Sequence, residues 1–198
     1  MYAKSQQTIK SILEAARTLF VARNYGDVTI TDIVELAEVS KGALYHHFSG
    51  KEDLYLKMMH HFLEEIQAST QSAAEKNAGS SRERLYHSSL NFLQLSEELQ
   101  GILGLVRRDI NMFKDPMRGE LVRAYQRAVP EQVEKIIRDG IASGELKTID
   151  ARLLSRELVA LMEVALHPYS RRVIGNPQEM CDFVVGLFLD GVAARIIS

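Results

Sequence analysis

Residues 29–51 read TITDIVELAEVSKGALYHHFSGK, and the organisation of the whole chain can be worked out from them. Thr29 and Asp32 have the spacing of a helix start, with the threonine hydroxyl toward the first-turn amides and the carboxylate reaching back. Ile30, Ile33, Val34 and Ala37 then fall on one helical face. The period breaks at Glu38-Val39, and Ser40 is placed to cap a second helix running from Lys41 to about Phe48. Leu44 and Phe48 give that helix a buried side, matched by Ile33 and Leu36 across the corner. Lys41, Gly42, Ala43, Tyr45, His46 and His47 are left for the rest of its surface. Two short helices joined by so brief a turn make a helix-turn-helix.

The chain of 198 residues is long for one core and short for two ordinary domains, so a small head on a larger body is expected. Residues 1–50 form the expected head and 51–198 the body. The formal net charge of -2 does not advertise a nucleic-acid binder, but a paired helix-turn-helix needs only local positive groups. Lys4, Lys10, Arg17, Lys41 and Lys51 can supply them. The single cysteine, Cys181, cannot form an internal disulfide and no zinc spacing is present, which fits a reducing cytoplasm. The first twenty residues lack the apolar core of a signal peptide, and no run approaches the roughly 20 apolar residues that cross a bilayer. A soluble, cytoplasmic protein is the expectation. No glycine-rich phosphate loop, serine elbow or paired carboxylates occur, so neither catalysis, a cofactor nor a metal is expected.

The rest of the chain is helical in pattern. Ile9, Ile12, Leu13, Ala16, Leu19 and Phe20 keep helical spacing between Ser5 and Asn24, and Tyr25-Gly26 closes that segment, giving the head a third helix. Lys51 or Glu52 opens a long helix to about Lys76, roughly 35 Å at 1.5 Å per residue, followed by a connector over residues 77–81. Further helices are expected over Arg82–Ser96, Leu99–Phe113, Met117–Ser143, Ala151–Tyr169 and Pro177–Ile197. Pro130 should kink or split the third of these. No strand alternation, internal repeat or low-complexity tract is present, so the fold class is all-α.

The spaced pattern Thr29, Asp32-Ile33, Ala37, Val39-Ser40, Lys41-Gly42, Leu44-Tyr45, His47-Phe48 and Lys51-Glu52 resembles the DNA-binding segment of TetR-family transcriptional regulators. Gly144-Glu145-Leu146 with Asp150, and Phe188-Leu189-Asp190-Gly191, resemble the family more loosely in the body. The resemblance implies a ligand-responsive repressor, homodimeric, with Tyr45 on backbone or a base methyl and Lys41, His47 and Lys51 on phosphates. Thr29 and Thr31 would reach phosphate too, small Gly42 and Ala43 would let the helix approach the groove, and His46 lies on the same surface. One departure stands out. Glu38 occupies the turn where the family usually has glycine, a position expected to need a left-handed backbone at roughly 1 kcal/mol for a non-glycine residue.

Other clusters weigh less. His60 and His61 with Glu64 and Glu65 read as solvated helix pairs rather than a metal site. Phe62, Tyr86, Phe92, Met112, Phe113, Tyr125 and Met162 fit core spacing, and some of them, with His167, are candidates for the lining of an effector pocket. His87 and His167 read as satisfied core histidines. Arg107, Arg108 and Asp109 read as a solvated charge cluster. The last helix is apolar round much of its circumference, which suits pairing with a second copy. The expected partners are a double-stranded DNA operator, a small apolar or amphipathic effector and a second copy of the chain, with no membrane. An effector tilting the long helix would move the head as a lever. The rival reading is a helical small-molecule binding or carrier protein without DNA binding.

Overall fold

The computed structural model describes residues 2–75 and 79–192, and among them every regular element is a helix. The order is α1 (Tyr2–Ala22), a 3₁₀ turn (Tyr25–Asp27), α2 (Ile30–Leu36), α3 (Lys41–His47), α4 (Lys51–Glu75), α5 (Ser81–Leu93) and α6 (Glu97–Asp109). A second 3₁₀ turn (Ile110–Met112) leads to α7 (Met117–Ala128), α8 (Pro130–Ala142), α9 (Ala151–Ala165), α10 (Pro168–Ile174) and α11 (Pro177–Val192). Lys76 and residues 193–197, which the sequence patterns assign to helix ends, lie outside the described residues. Val129, with φ −131 and ψ −63, breaks the long pattern, and Pro130 starts α8 where its missing N–H costs nothing. The expected single helix over Ala151–Tyr169 is instead two. Proline disfavours helical backbone in the residue before it, so His167 turns extended and caps α10 through Nδ1, which accepts from the Tyr169 amide at 3.2 Å.

The chain divides into two compact units. The first comprises Met1–Glu64 and Ser96–Tyr125, the second Glu65–Leu95 and Gln126–Ser198. In the first, α1 packs on α2, α3 and α6 through Ile12, Leu13, Ala16, Leu19 and Phe20, all buried. Ile33 and Val34 point into this core with Leu44 and Phe48. Leu36 does not. It is half exposed, because a face centred on Ile33, Val34 and Ala37 leaves position 36 about 110° away at 100° per residue.

In the second unit α5, α8, α9 and α11 pack on one another. Gly140 on α8 permits the approach of α5, since a β-carbon there would lie 2.7 Å from Ser81 Oγ and 2.8 Å from Leu146 Cδ1. Gly144, at φ 80, ends α8 and lets the Leu146 amide return to the Gly140 carbonyl at 3.0 Å. Buried Thr70 donates its hydroxyl proton near the Pro130 break, its Oγ1 lying 3.0 Å from the Ala128 carbonyl. His87 and His167 are exposed rather than core.

Candidate nucleic-acid interface

The reading element is built from its caps. Thr29 Oγ1 accepts from the Asp32 amide at 3.1 Å while Asp32 Oδ2 accepts from the Thr29 amide and hydroxyl, each at 2.8 Å. This reciprocal box fixes the start of α2. The Thr29 backbone N–H, then its hydroxyl, hold the Asp32 carboxyl below the usual range. α2 ends in a Schellman turn: the Val39 amide donates to Val34 O at 3.0 Å and the Glu38 amide to Glu35 O at 3.2 Å, with Glu38 left-handed at φ 55. Two positions later Ser40 Oγ accepts from the Ala43 amide at 3.1 Å and begins α3.

So mounted, α3 buries Leu44 and turns Lys41, Gly42, Tyr45 and His46 outward, with Ala43 and His47 half-buried. Tyr45 is 54% exposed, a large aromatic surface with no core to serve. Lys41 has no hydrogen-bond or ion-pair partner among the described residues. His46 and His47 stack edge to face at 4.7 Å. Thr31 is exposed on α2, and Thr29 has its one hydroxyl proton engaged by Asp32. Asp53 secures the next corner: its Oδ2 accepts from the Ser49 amide and from Lys57 Nζ, both at 2.9 Å, and Lys57 also reaches His47 O at 3.2 Å. Burial alone would raise the Asp53 carboxyl, but these donors outweigh it and hold it low.

Lys51 stands apart from this face. Its ammonium points inward, 2.9 Å from Tyr25 O and 3.0 Å from Val28 O, over the Tyr25 ring. Asp109 is 1% exposed rather than solvated, accepting from Tyr55 Oη at 3.0 Å and from Arg108 at 2.7 Å. That pair, with Tyr25, forms a support that the spacing of residues does not reveal, because the carbonyls Arg108 reaches belong to Phe20 and Arg23, more than eighty positions earlier. Burial raises the Tyr55 hydroxyl strongly, with the Asp109 charge adding to it, and burial and Glu52 push Tyr25 up to about 12.

Two family models match this architecture: that of bacterial regulatory proteins of the tetR family over residues 12–58, and the tetracyclin repressor-like C-terminal domain over 78–192. The chain belongs to the TetR family. It is a transcriptional regulator with a helix-turn-helix head and a helical body. The HTH-type transcriptional repressor DhaR of Mycobacterium sp. (strain GP1) is 26% identical over 159 residues, 78% of each chain. A putative fatty acid metabolism regulator of Clostridium perfringens has the same fold at TM-score 0.79 and 24% identity, over 93% of this chain and 100% of its own. So does the regulator FadR of Bacillus subtilis in complex with stearoyl-CoA, at TM-score 0.77 and 18% identity over 92% and 98%.

In this TetR-family chain the eight pocket candidates fall in both units. Phe62, Phe113, Met112 and Tyr125 belong to the first, where Phe62 and Phe113 are buried and Met112 is exposed. Phe92, Met162, Tyr86 and His167 belong to the second; Phe92 and Met162 are buried in its core. Tyr86 donates its hydroxyl proton to Asp182 at 2.8 Å, which, ahead of burial, pushes that hydroxyl up to about 12. A cavity of about 410 Å³ in the second unit is lined by none of the eight; most of its lining residues are of polar or charged type, Lys135, Arg138, Arg152 and Arg156 among them. Among the described residues no three histidine, cysteine or carboxylate groups cluster to hold a metal, and no helix is long and apolar enough to cross a membrane.

Proposed function

We propose that this regulator is an operator-binding repressor released by a small apolar or amphipathic effector. The observation that carries the reading is the outward face of α3, where unpartnered Lys41, exposed Tyr45 and small Gly42 are held between two capped turns rather than on a mobile loop. Lys41, His47 and Thr31 serve the phosphates, Tyr45 and His46 the groove, and Gly42 and Ala43 leave room for it. Thr29 can join only by releasing the proton it gives Asp32. Residues 1–50 read DNA; residues 51–198 hold effector and partner.

Pairing with a second copy is supported by Leu153, Val164, Phe183 and Leu187, large apolar side chains that α9 and α11 leave more than half exposed. Two heads reach successive major grooves on one side of DNA when their reading helices lie roughly 34 to 36 Å apart. An effector favouring another spacing weakens DNA binding by its differential affinity for the two states, and DNA weakens effector binding equally. That an acyl-CoA occupies FadR supports an amphipathic ligand class without naming one for this chain.

The test is selection of bound DNA from a random pool, then titration of the selected duplex with and without amphipathic acyl compounds. Enrichment of a two-fold-related sequence, steeply salt-dependent binding and loss of affinity with one compound are expected. If no sequence is enriched, the carrier-protein reading replaces this one.

A further inference from the structure

From the last turn of α1 to the cap of α2 the main chain runs through residues 20–29, and four of its carbonyls accept from two cationic side chains. Lys51 Nζ lies 2.9 Å from Tyr25 O and 3.0 Å from Val28 O, and 4.3 Å from the centre of the Tyr25 ring. Arg108 Nη2 lies 2.8 Å from Phe20 O and 3.0 Å from Arg23 O. The guanidinium is itself anchored, because its Nε donates to buried Asp109 at 2.7 Å and that carboxylate accepts from Tyr55. Tyr25, its ring against the Lys51 ammonium, packs on Phe20, Tyr55 and Phe113 with ring centres 5.0 to 5.6 Å away.

We infer that Lys51 and Arg108 are positioning residues for DNA reading, two cations that grip the main chain between α1 and α2 and thereby set where the reading helices stand. An ammonium has three N–H groups, and two here are given to carbonyls while the ring covers part of the charge. Phosphate would have to compete with bonds already made in a half-buried site, where charge-assisted hydrogen bonds are stronger than exposed ion pairs. Arg108 meets the last carbonyls of α1, which a helix leaves unsatisfied and which attract positive charge. Val28 directly precedes the Thr29 cap, so the hold of Lys51 fixes the origin of α2. The rigid Schellman turn carries that placement on to α3. Without either cation α3 keeps its chemistry and loses its address.

The experiment uses the full chain with its selected duplex, binding being measured over a range of salt for the parent, Lys51→Met, Arg108→Met and Lys41→Met. Circular dichroism confirms the folded state at the assay temperature. Lys41→Met should lower the slope of log affinity against log salt by about 1, the signature of a lost phosphate contact. Lys51→Met and Arg108→Met should weaken binding about tenfold at every salt concentration with the slope unchanged. If Lys51→Met lowers the slope as Lys41→Met does, the lysine is a phosphate contact and the assignment falls. It falls equally if either variant, folded, binds as the parent does. Should Lys51→Met not fold, Lys51→Gln, which keeps one donor arm, is judged by the same slope. The inference rests on the operator-binding reading: a parent that selects no DNA overturns that reading, whereas the slopes overturn the grip alone.

Discussion

Glu38 holds φ 55, where the β-carbon of any L-residue crowds the neighbouring carbonyl. Its backbone serves the Schellman turn, not its side chain, so Glu38→Gly should stabilise the protein by about 1 kcal/mol and raise the melting temperature. The same change removes a carboxylate beside the reading helix and should tighten DNA binding; a melting temperature equal to or below the parent's would show that the turn is unstrained. This residue was legible in the sequence because the helical period breaks at Glu38-Val39 and the family that the segment resembles usually has glycine in that turn. Asp109 was not. Next to Arg107 and Arg108 it reads as a surface charge, and only the fold brings Tyr55 to it and the end of α1 to its partner Arg108. Leu36 shows the opposite error, an apolar residue counted as core on spacing to one neighbour rather than on the centre of the buried face.

For an element as short as α2, seven residues long, the first-turn box supplies much of what defines it. The folded Asp32 carboxyl titrates below its unfolded value because the Thr29 amide and hydroxyl favour its charged form. Its contribution is therefore complete above the unfolded carboxylate range, near pH 4, and is lost as pH falls through the lower folded value. Asp32→Asn should accordingly melt below the parent at pH 7, and the gap should close on acidification below about pH 4. A gap independent of pH, measured by thermal unfolding across that range, would show that the charge contributes nothing to the cap. Elements with such local signals were readable: Ser40 marks a start and Pro130 a split that the fold uses. The break at His167-Pro168 was not, because apolar spacing runs on through Leu166 and masks a proline that begins a new helix.

At the scale of the molecule, Phe183 and Leu187 are 57% and 54% exposed while Val184 and Phe188, their neighbours on α11, are buried. One face of α11 therefore serves its own unit and the other is free for a second copy. Phe183→Glu with Leu187→Glu should convert a dimer to monomer at micromolar concentration in sedimentation, and should weaken operator binding by removing the second head. A parent already monomeric there would refute the pairing. The apolar circumference of α11 made this surface legible, whereas the allocation of α6 to the head's own unit was not, since nothing local in residues 96–109 points to α1. That allocation bears on synthesis. When residue 64 leaves the ribosome the first unit still lacks residues 96–125, so the Phe20 and Arg23 carbonyls await a guanidinium and the Tyr55 hydroxyl awaits its carboxylate. Residues 65–95 emerge in between, themselves waiting for 126–198. The reading head, though first in the chain, cannot close as it is made: translation must pass α6 and reach residue 125, and until then the nascent chain carries an incomplete part of each unit at once.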